Sequence, residues 1–237
     1  MSSDISPVRI YACWLGWMGY EAACALQKRL QEEVLARRGD PGYLLLLEHP
    51  PVITAGRSAD LEDLHVSPDR LARLGVEFVE SNRGGRLTYH GPGQLVGYPI
   101  LDLKGYRQDI HWYMEQLEEV LIRTLLPLAV EAGRKAGHTG VWVGGRKIAS
   151  IGVHIRRWVT SHGFALNVAP DMTRFGLLKP CGLTPGTMTS LAELLEEAPR
   201  SLELAGSVAE TFAEVFGLEP GETVFERQPA EAFAEVR

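Results

Sequence analysis

The order of apolar patterns along the chain predicts an α+β fold, a mixed β-sheet with flanking helices. Three observations carry this. Two long stretches, Glu21–Arg38 and Asp109–Leu128, have helical apolar spacing. Several short stretches have the length and apolar density of strands. The two kinds do not alternate regularly, as they would in a doubly wound parallel fold.

Each element has its own signal. Val8–Leu15 reads as a first strand. In Glu21–Arg38, Ala22, Leu26, Leu30 and Val34 recur every four residues as one apolar stripe, and Gly39 to Gly42 end the helix. Tyr43–Glu48 is nearly all apolar, so it is expected to be a central strand buried on both faces. His49–Arg57, with Pro50, Pro51 and Gly56, reads as a loop. Pro68–Leu74 reads as a short helix and Val76–Val79 as a strand. After Leu95–Leu101, another strand, the helix Asp109–Leu128 buries a stripe from Ile110, Tyr113 and Met114 to Leu125 and Leu128, assigned to the core. Gly140–Val143, Lys147–Ile155 and Ser161–Val168 are extended, with Gly144-Gly145 as a hairpin turn between the first two. Asp171–Pro185 is irregular, Thr189–Glu197 has the look of a helix start, and Ser201–Phe216 is a last helix. A single domain over 1–237 is expected, with 186–237 a helical, acidic portion packed on it.

The 237 residues are 45% hydrophobic and 23% charged, which suits a soluble globular chain. A chain this long buries roughly 70% or more of its unfolded surface, so it needs no disulfide or metal staple. Cys13, Cys24 and Cys181 are odd in number and form no CxxC pair, which fits a reducing, cytoplasmic setting. No signal peptide or membrane helix is expected. A net charge of −6 argues against a nucleic-acid binder. The charge is uneven. Residues 134–179 hold eight basic residues against one acid, a local +7, while 193–237 carry −8. The basic segment is a candidate docking face for an acidic partner, or else a solvated surface.

Between these elements lies the densest functional signal, Arg83-Gly84-Gly85-Arg86-Leu87-Thr88-Tyr89-His90-Gly91-Pro92-Gly93-Gln94. Its glycines permit positive φ and close approach, and Pro92 stiffens it. It reads as a shaped wall presenting polar groups to a ligand, or as a tight polar hairpin. It is neither a Walker A loop nor a GxGxxG turn. The seven histidines show no HxxxH, HExxH or HxH pairing, so no metal is expected. No GxSxG elbow is present. Cys13 and Cys24 fall in a strand and a helix, where cysteine behaves as a small hydrophobe. Cys181 differs, because Pro180 and Gly182 hold it on a loop. A nucleophilic thiol needs a cationic or basic neighbour. Lys179 is near in sequence. Lys147 is the other candidate, since it begins the small, apolar run Lys147–Gly152, where desolvation lowers an amine's pKa.

Four segments together resemble the lipoyl(octanoyl) transferase family: Glu48–Gly56, Arg83–Ile100, Gly145–Gly152 with Ser161–Asn167, and Pro180–Leu183. The resemblance implies a fold like that of biotin and lipoate protein ligases. It implies that octanoyl passes from acyl carrier protein to a lysine of lipoyl domains through a thioester on Cys181, with Lys147 as general acid/base. Arg83, Gly84, Gly85, Arg86, Leu87, Thr88, Tyr89, His90, Ser150, Ile151, Gly152, Gly163, Phe164 and Ala165 would line the acyl pocket. Leu87, Tyr89, Ile151 and Phe164 are the candidates for its apolar wall. No cofactor is implied beyond the phosphopantetheine of the carrier. The expected partners are octanoyl-acyl carrier protein and lipoyl-domain proteins, namely 2-oxoacid dehydrogenase E2 subunits and glycine cleavage H protein. Nucleic acid and membrane are not among them. Arg86-Leu87 and Trp158–Thr160 depart from the usual family residues, which bears on pocket size. The rival readings are an ATP-dependent ligase of the same fold and a non-catalytic acyl-binding module.

Overall fold

The computed structural model describes residues 9–37, 41–184 and 186–220. Its centre is β2 (Gly42–Glu48), in which Tyr43 to Leu47 are all buried. Alternation sends Leu44 and Leu46 to one side and Leu45 and Leu47 to the other. Helices α3 (Ile110–Leu125) and α5 (Ser201–Phe216) cover the first side, and α1 (Tyr20–Arg37) covers the second. A strand enclosed on both faces has no polar side to show, which is why its sequence is almost unbroken leucine.

Around β2 the described strands form an eight-stranded mixed sheet. Beside it on one edge are β1 (Arg9–Trp17), parallel to it, and β11 (Glu219–Pro220). On the other side run β6 (Gln94–Ile100), β10 (Val159–Asn167), β9 (Arg146–Arg156), β8 (His138–Val143) and β7 (Gly133–Lys135), each antiparallel to its neighbour. A second sheet of three strands has β3 (Val52–Ala55) at its middle, parallel to β4 (Glu77–Glu80) and antiparallel to β5 (Leu87–His90). Two expected loops therefore hold strands. β3 lies within His49–Arg57 and β5 within Arg83–Gln94. Both are four-residue strands bracketed by Gly or Pro, too short for periodicity to mark. The short helices α2 (Pro68–Arg73) and α4 (Leu191–Leu194) complete the described elements.

Of the stripe expected on α1, Leu30 and Val34 are buried and Leu26 packs against the same core, but its N-terminal end differs. Ala22 is exposed, and the buried face is Tyr20, Ala23, Gln27, Leu30, Gln31 and Val34. The two glutamines are buried because β10 needs them. Gln27 Oε1 accepts from His162 N at 2.7 Å, and Gln31 Nε2 donates to Val159 O at 3.0 Å. The Gln31 amide is satisfied in this way, which lowers the cost of burying it, whereas Gln27 Nε2 finds no partner among the described residues.

Helix α5 belongs to the main core. Leu204, Val208 and Phe212 pack with Tyr113, Leu117 and Leu121 of α3, and Phe212 stacks on Phe216 at 4.4 Å. Residues 221–237 of the expected C-terminal portion lie outside the described residues. Since Phe212 is fully buried, Phe212→Ala should cost about 3–5 kcal/mol in urea denaturation. Loss of α5 alone, in a separate early transition, would contradict a shared core.

Candidate active site

A cavity of about 390 Å³ opens between β5 with the Arg83–Arg86 segment and the β9–β10 hairpin. The approach of the two is close. Gly84 N donates to Val153 O at 2.9 Å, and a Cβ on Gly152 would stand 3.0 Å from Gly84 O. Glycine at both positions allows the backbones to meet.

Of the expected site residues whose side chains are described, all but Leu87 and Tyr89 line this cavity. Thr88 and His90 project into it, as do Ser150, Ile151 and Gly152 from β9 and Gly163, Phe164 and Ala165 from β10. Arg83, Gly84, Gly85 and Arg86 form its rim. Leu87 and Tyr89 do not line it. Strand alternation turns them to the opposite face of β5, where they pack with Leu71, Phe175 and Leu178, and the Tyr89 ring meets Phe175 edge-on at 5.6 Å. The apolar wall is Ile151 and Phe164, joined by Ile110 and Met114 of α3, two residues of a stripe assigned wholly to the core. The start of α3 therefore serves both the site, through Ile110 and Met114, and the core, through Tyr113.

Cys181 is described by its backbone alone, which lies in a 3₁₀ turn, Pro180–Gly182. Leu183, just beyond the turn, lines the cavity. The other two thiols are unsuited to attack, because burial pushes both Cys13 and Cys24 up to about 11 and keeps them protonated.

Lys147 is buried and lines the cavity, with Nζ 5.7 Å from the centre of the Trp142 ring. Its backbone is held on both sides by the segment that follows the Cys181 turn. Lys147 N donates to Thr187 O at 2.7 Å, and Thr189 N donates to Lys147 O at 3.0 Å. Gly140 lies against the lysine stem, with no room there for a Cβ.

Arg83 braces the wall instead of presenting its charge. Its guanidinium donates to Thr54 O at 2.6 Å, to Arg86 O at 2.8 Å and to Gly84 O at 3.0 Å. Behind His90 runs a buried relay whose directions are fixed by its end. Thr189 O can only accept, so Asn167 Nδ2 donates to it at 2.9 Å. Asn167 Oδ1 then accepts from Gln94 Nε2 at 2.8 Å, and Gln94 Oε1 accepts from His90 Nδ1 at 2.7 Å. Burial, the neighbouring His49 and the Arg83 charge hold His90 down at about 3, so its ring is neutral and Nε2 is a bare acceptor. His49 Nδ1 donates to Met18 O, leaving Nε2 to accept from Tyr98 O–H, each at 2.7 Å.

Sequence patterns missed Tyr20, Arg57, Tyr98 and His162, which also line the cavity. His162 is adjacent to the expected Gly163, in left-handed backbone at φ +55. Among the described residues no acid lines the cavity, while Lys147, Arg57, Arg83 and Arg86 do. The basic segment 134–179 is less uniform than its count. Arg134 pairs with Glu118 at 3.1 Å, Arg146 with Glu193 at 2.7 Å and Arg174 with Asp171 at 3.2 Å. Among the described residues no group of His, Cys, Asp or Glu could hold a metal ion, and no helix is long and apolar enough to cross a membrane.

Residues 19–213 match the lipoyl protein ligase A/B catalytic domain family. The chain belongs to this family. It is 50% identical over 208 residues to an octanoyltransferase of Gloeobacter violaceus, covering 87% of this chain and 90% of that one. It is 50% identical over 207 residues to an octanoyltransferase of Solibacter usitatus, covering 86% and 92%. Among solved structures, a lipoate-protein ligase A bound with ATP superposes with a TM-score of 0.72 at 16% identity, over 96% of this chain and 92% of that one. A biotin protein ligase from Aquifex aeolicus superposes at 0.54 and 14% identity, over 87% and 70%. These likenesses place the fold with the lipoate and biotin protein ligases.

The buried histidines of this lipoyl protein ligase A/B domain set its acid stability. His49, His90 and His162 are held at about 4, 3 and 3, below the ordinary 6.5, mainly by desolvation. Between those values the unfolded chain binds protons that the folded chain does not. Stability is therefore full above about pH 6.5 and falls as pH drops towards 4. Near pH 5 these three should take up about three protons on unfolding, and His90→Gln should remove about one, as read by calorimetry in buffers of different ionisation heat. Equal uptake in the variant would overturn the assignment.

Proposed function

We propose that this octanoyltransferase works through a thioester on Cys181, with Lys147 moving the protons. The observation that carries the reading is the double backbone bond between Lys147 and residues 187–189. It ties the strand bearing the amine to the segment leaving the Cys181 turn, while the lysine side chain faces the cavity.

The Cys181 thiolate attacks the carbonyl of an octanoyl thioester borne by an acyl carrier protein. The new C–S bond forms, the bond to the carrier's phosphopantetheine sulfur breaks, and the Lys147 ammonium gives that sulfur its proton. A neutral lysine amine of a lipoyl domain then attacks the Cys181 thioester. The C–N bond forms, the amine proton passes to Lys147, and Cys181 leaves as thiolate. Thioester exchange is near-neutral and amide formation from a thioester is downhill, so neither step calls for ATP. Gly182 N already donates to Lys179 O at 3.3 Å and Leu183 N to Pro180 O at 2.8 Å. Gly84 N is engaged as well, with Val153 O at 2.9 Å, so an oxyanion hole is sought among the other donors of the cavity lining, each worth roughly 3 kcal/mol. The octanoyl chain lies along Ile151, Phe164, Ile110 and Met114, each buried methylene contributing about 0.8 kcal/mol.

Intact mass after incubation with octanoyl carrier tests the mechanism. The wild type should gain one octanoyl group, and Cys181→Ala none. An adduct on Cys181→Ala, or one formed only with octanoate and ATP, would favour the adenylating ligase chemistry instead. Lys147→Ala should slow acylation by at least about tenfold, a floor below the roughly 10²–10⁴-fold that general acid–base groups contribute, and should move thiol alkylation by iodoacetamide to higher pH. An unchanged alkylation profile in that variant would remove Lys147 from the mechanism.

A further inference from the structure

The Pro180–Gly182 turn is pinned from a direction that no sequence motif marks. Asp63 closes a short 3₁₀ turn, Leu61–Asp63, and its side chain is only 9% exposed. Asp63 Oδ2 lies 3.1 Å from Arg86 Nη2, and Oδ1 lies 3.9 Å from Lys179 Nζ. The backbone is joined as well. Lys179 N donates to Asp63 O at 2.7 Å, His65 N donates to Leu177 O at 2.9 Å, and Leu64 bridges Leu178. Arg86 lines the cavity, and its guanidinium lies flat enough on the turn that a Cβ on Gly182 would come within 2.7 Å of Nη1. Gly182 has φ +74, so glycine serves there both for the backbone and for the space. One carboxylate thus faces the residue entering the Cys181 turn and the cation lying over its exit.

We infer that Asp63 is a positioning residue for acyl transfer. Through Arg86 and Lys179 it fixes the Cys181 turn against the cavity rim. The inference rests on the reading of Cys181 as the acyl carrier. A mostly buried carboxylate between two half-exposed cations is costly to remove, because its loss leaves both cations uncompensated beside a cavity already lined by Lys147, Arg57 and Arg83. The backbone bond from Lys179 survives in Asp63→Asn, so this variant releases the charge clamp and keeps the fold.

Single-turnover acylation by octanoyl carrier tests the clamp. Asp63→Asn and Arg86→Gln should each lower the maximal rate about tenfold, since small misplacements of a reacting group cost that much, with half-saturation by the carrier changed less than about twofold. Arg86→Lys, which keeps the cation, should recover most of the rate. The double variant D63N/R86Q should be no slower than the slower single, because both break one link. A wild-type rate in Asp63→Asn, losses that multiply in the double variant, or a change confined to half-saturation would overturn the inference. If Asp63→Asn fails to fold, Arg86→Gln against Arg86→Lys carries the same comparison. Alkylation of Cys181 by iodoacetamide, mapped by peptide mass, uses no octanoyl chemistry. Asp63→Asn should change its rate by about threefold or more at neutral pH, since thiol reactivity follows nearby charge. An unchanged rate would sink the clamp even where octanoyl transfer is confirmed, and a wild type that takes up no octanoyl would sink the transferase mechanism while leaving this measurement readable.

Discussion

The contact of Gly84 with the Gly152–Val153 backbone is the constraint on which the site depends. There the segment leading into β5 docks on β9 backbone to backbone. Gly84 N finds its acceptor on β9, and the missing Cβ of Gly152 leaves the space that Gly84 O fills. The small sheet thereby sits at a fixed height over β9 and β10, and the cavity is the gap left where glycine gives way to Thr88, His90 and Phe164. Arg83 makes the arrangement rigid from behind by gathering the carbonyls of Thr54, Gly84 and Arg86. Five donors in a planar fork can do this, where a lysine offers one point of charge.

The buried relay extends that rigidity sideways. From His90 through Gln94 and Asn167 it reaches Thr189, whose N–H in turn holds the Lys147 carbonyl. Every member of the chain is buried and satisfied, so none can turn over without breaking its neighbour's bond. The cavity wall and the strand that carries the amine are one hydrogen-bonded unit. A side chain such as Gln94, which reaches no ligand, still sets which nitrogen of His90 faces the cavity.

Much of this was legible in the sequence, and the gaps have physical causes. The run Tyr43–Leu47 announces a strand covered on both faces, and Ser201–Phe216 is read to the residue, because apolar periodicity records burial. Gln27 and Gln31 mislead the same logic, since a glutamine whose amide completes β10 is buried without being apolar. Glycine and proline around β5 hide its alternation, so Leu87 and Tyr89 look like pocket residues when they belong to the core beneath. Cys181 and Lys147 stand out by their local surroundings, a Pro-Cys-Gly turn and a small-residue strand. Asp63 does not, because its partners lie 23 and 116 positions away in the chain and only the fold brings them together.

The charge pattern of the cavity bears on why so many histidines surround a site whose proposed chemistry uses none of them. Among the described residues four cations line it and no carboxylate does. Such a lining favours negative charge, both on a thiolate and on the oxyanion of a thioester under attack, and it does so with dipoles and cations already in place. Protonated histidines would add to that field, and burial prevents it, holding His49, His90 and His162 neutral throughout the physiological range. Neutral imidazoles supply shape and fixed hydrogen bonds without charge. Of the cations, Arg83 is consumed in bracing the wall and Arg86 is balanced by Asp63, while Lys147 is the buried one to which the proposed mechanism assigns the proton transfers. An arginine in its place would keep the field and lose the transfer, because a guanidinium does not give up its proton in this range.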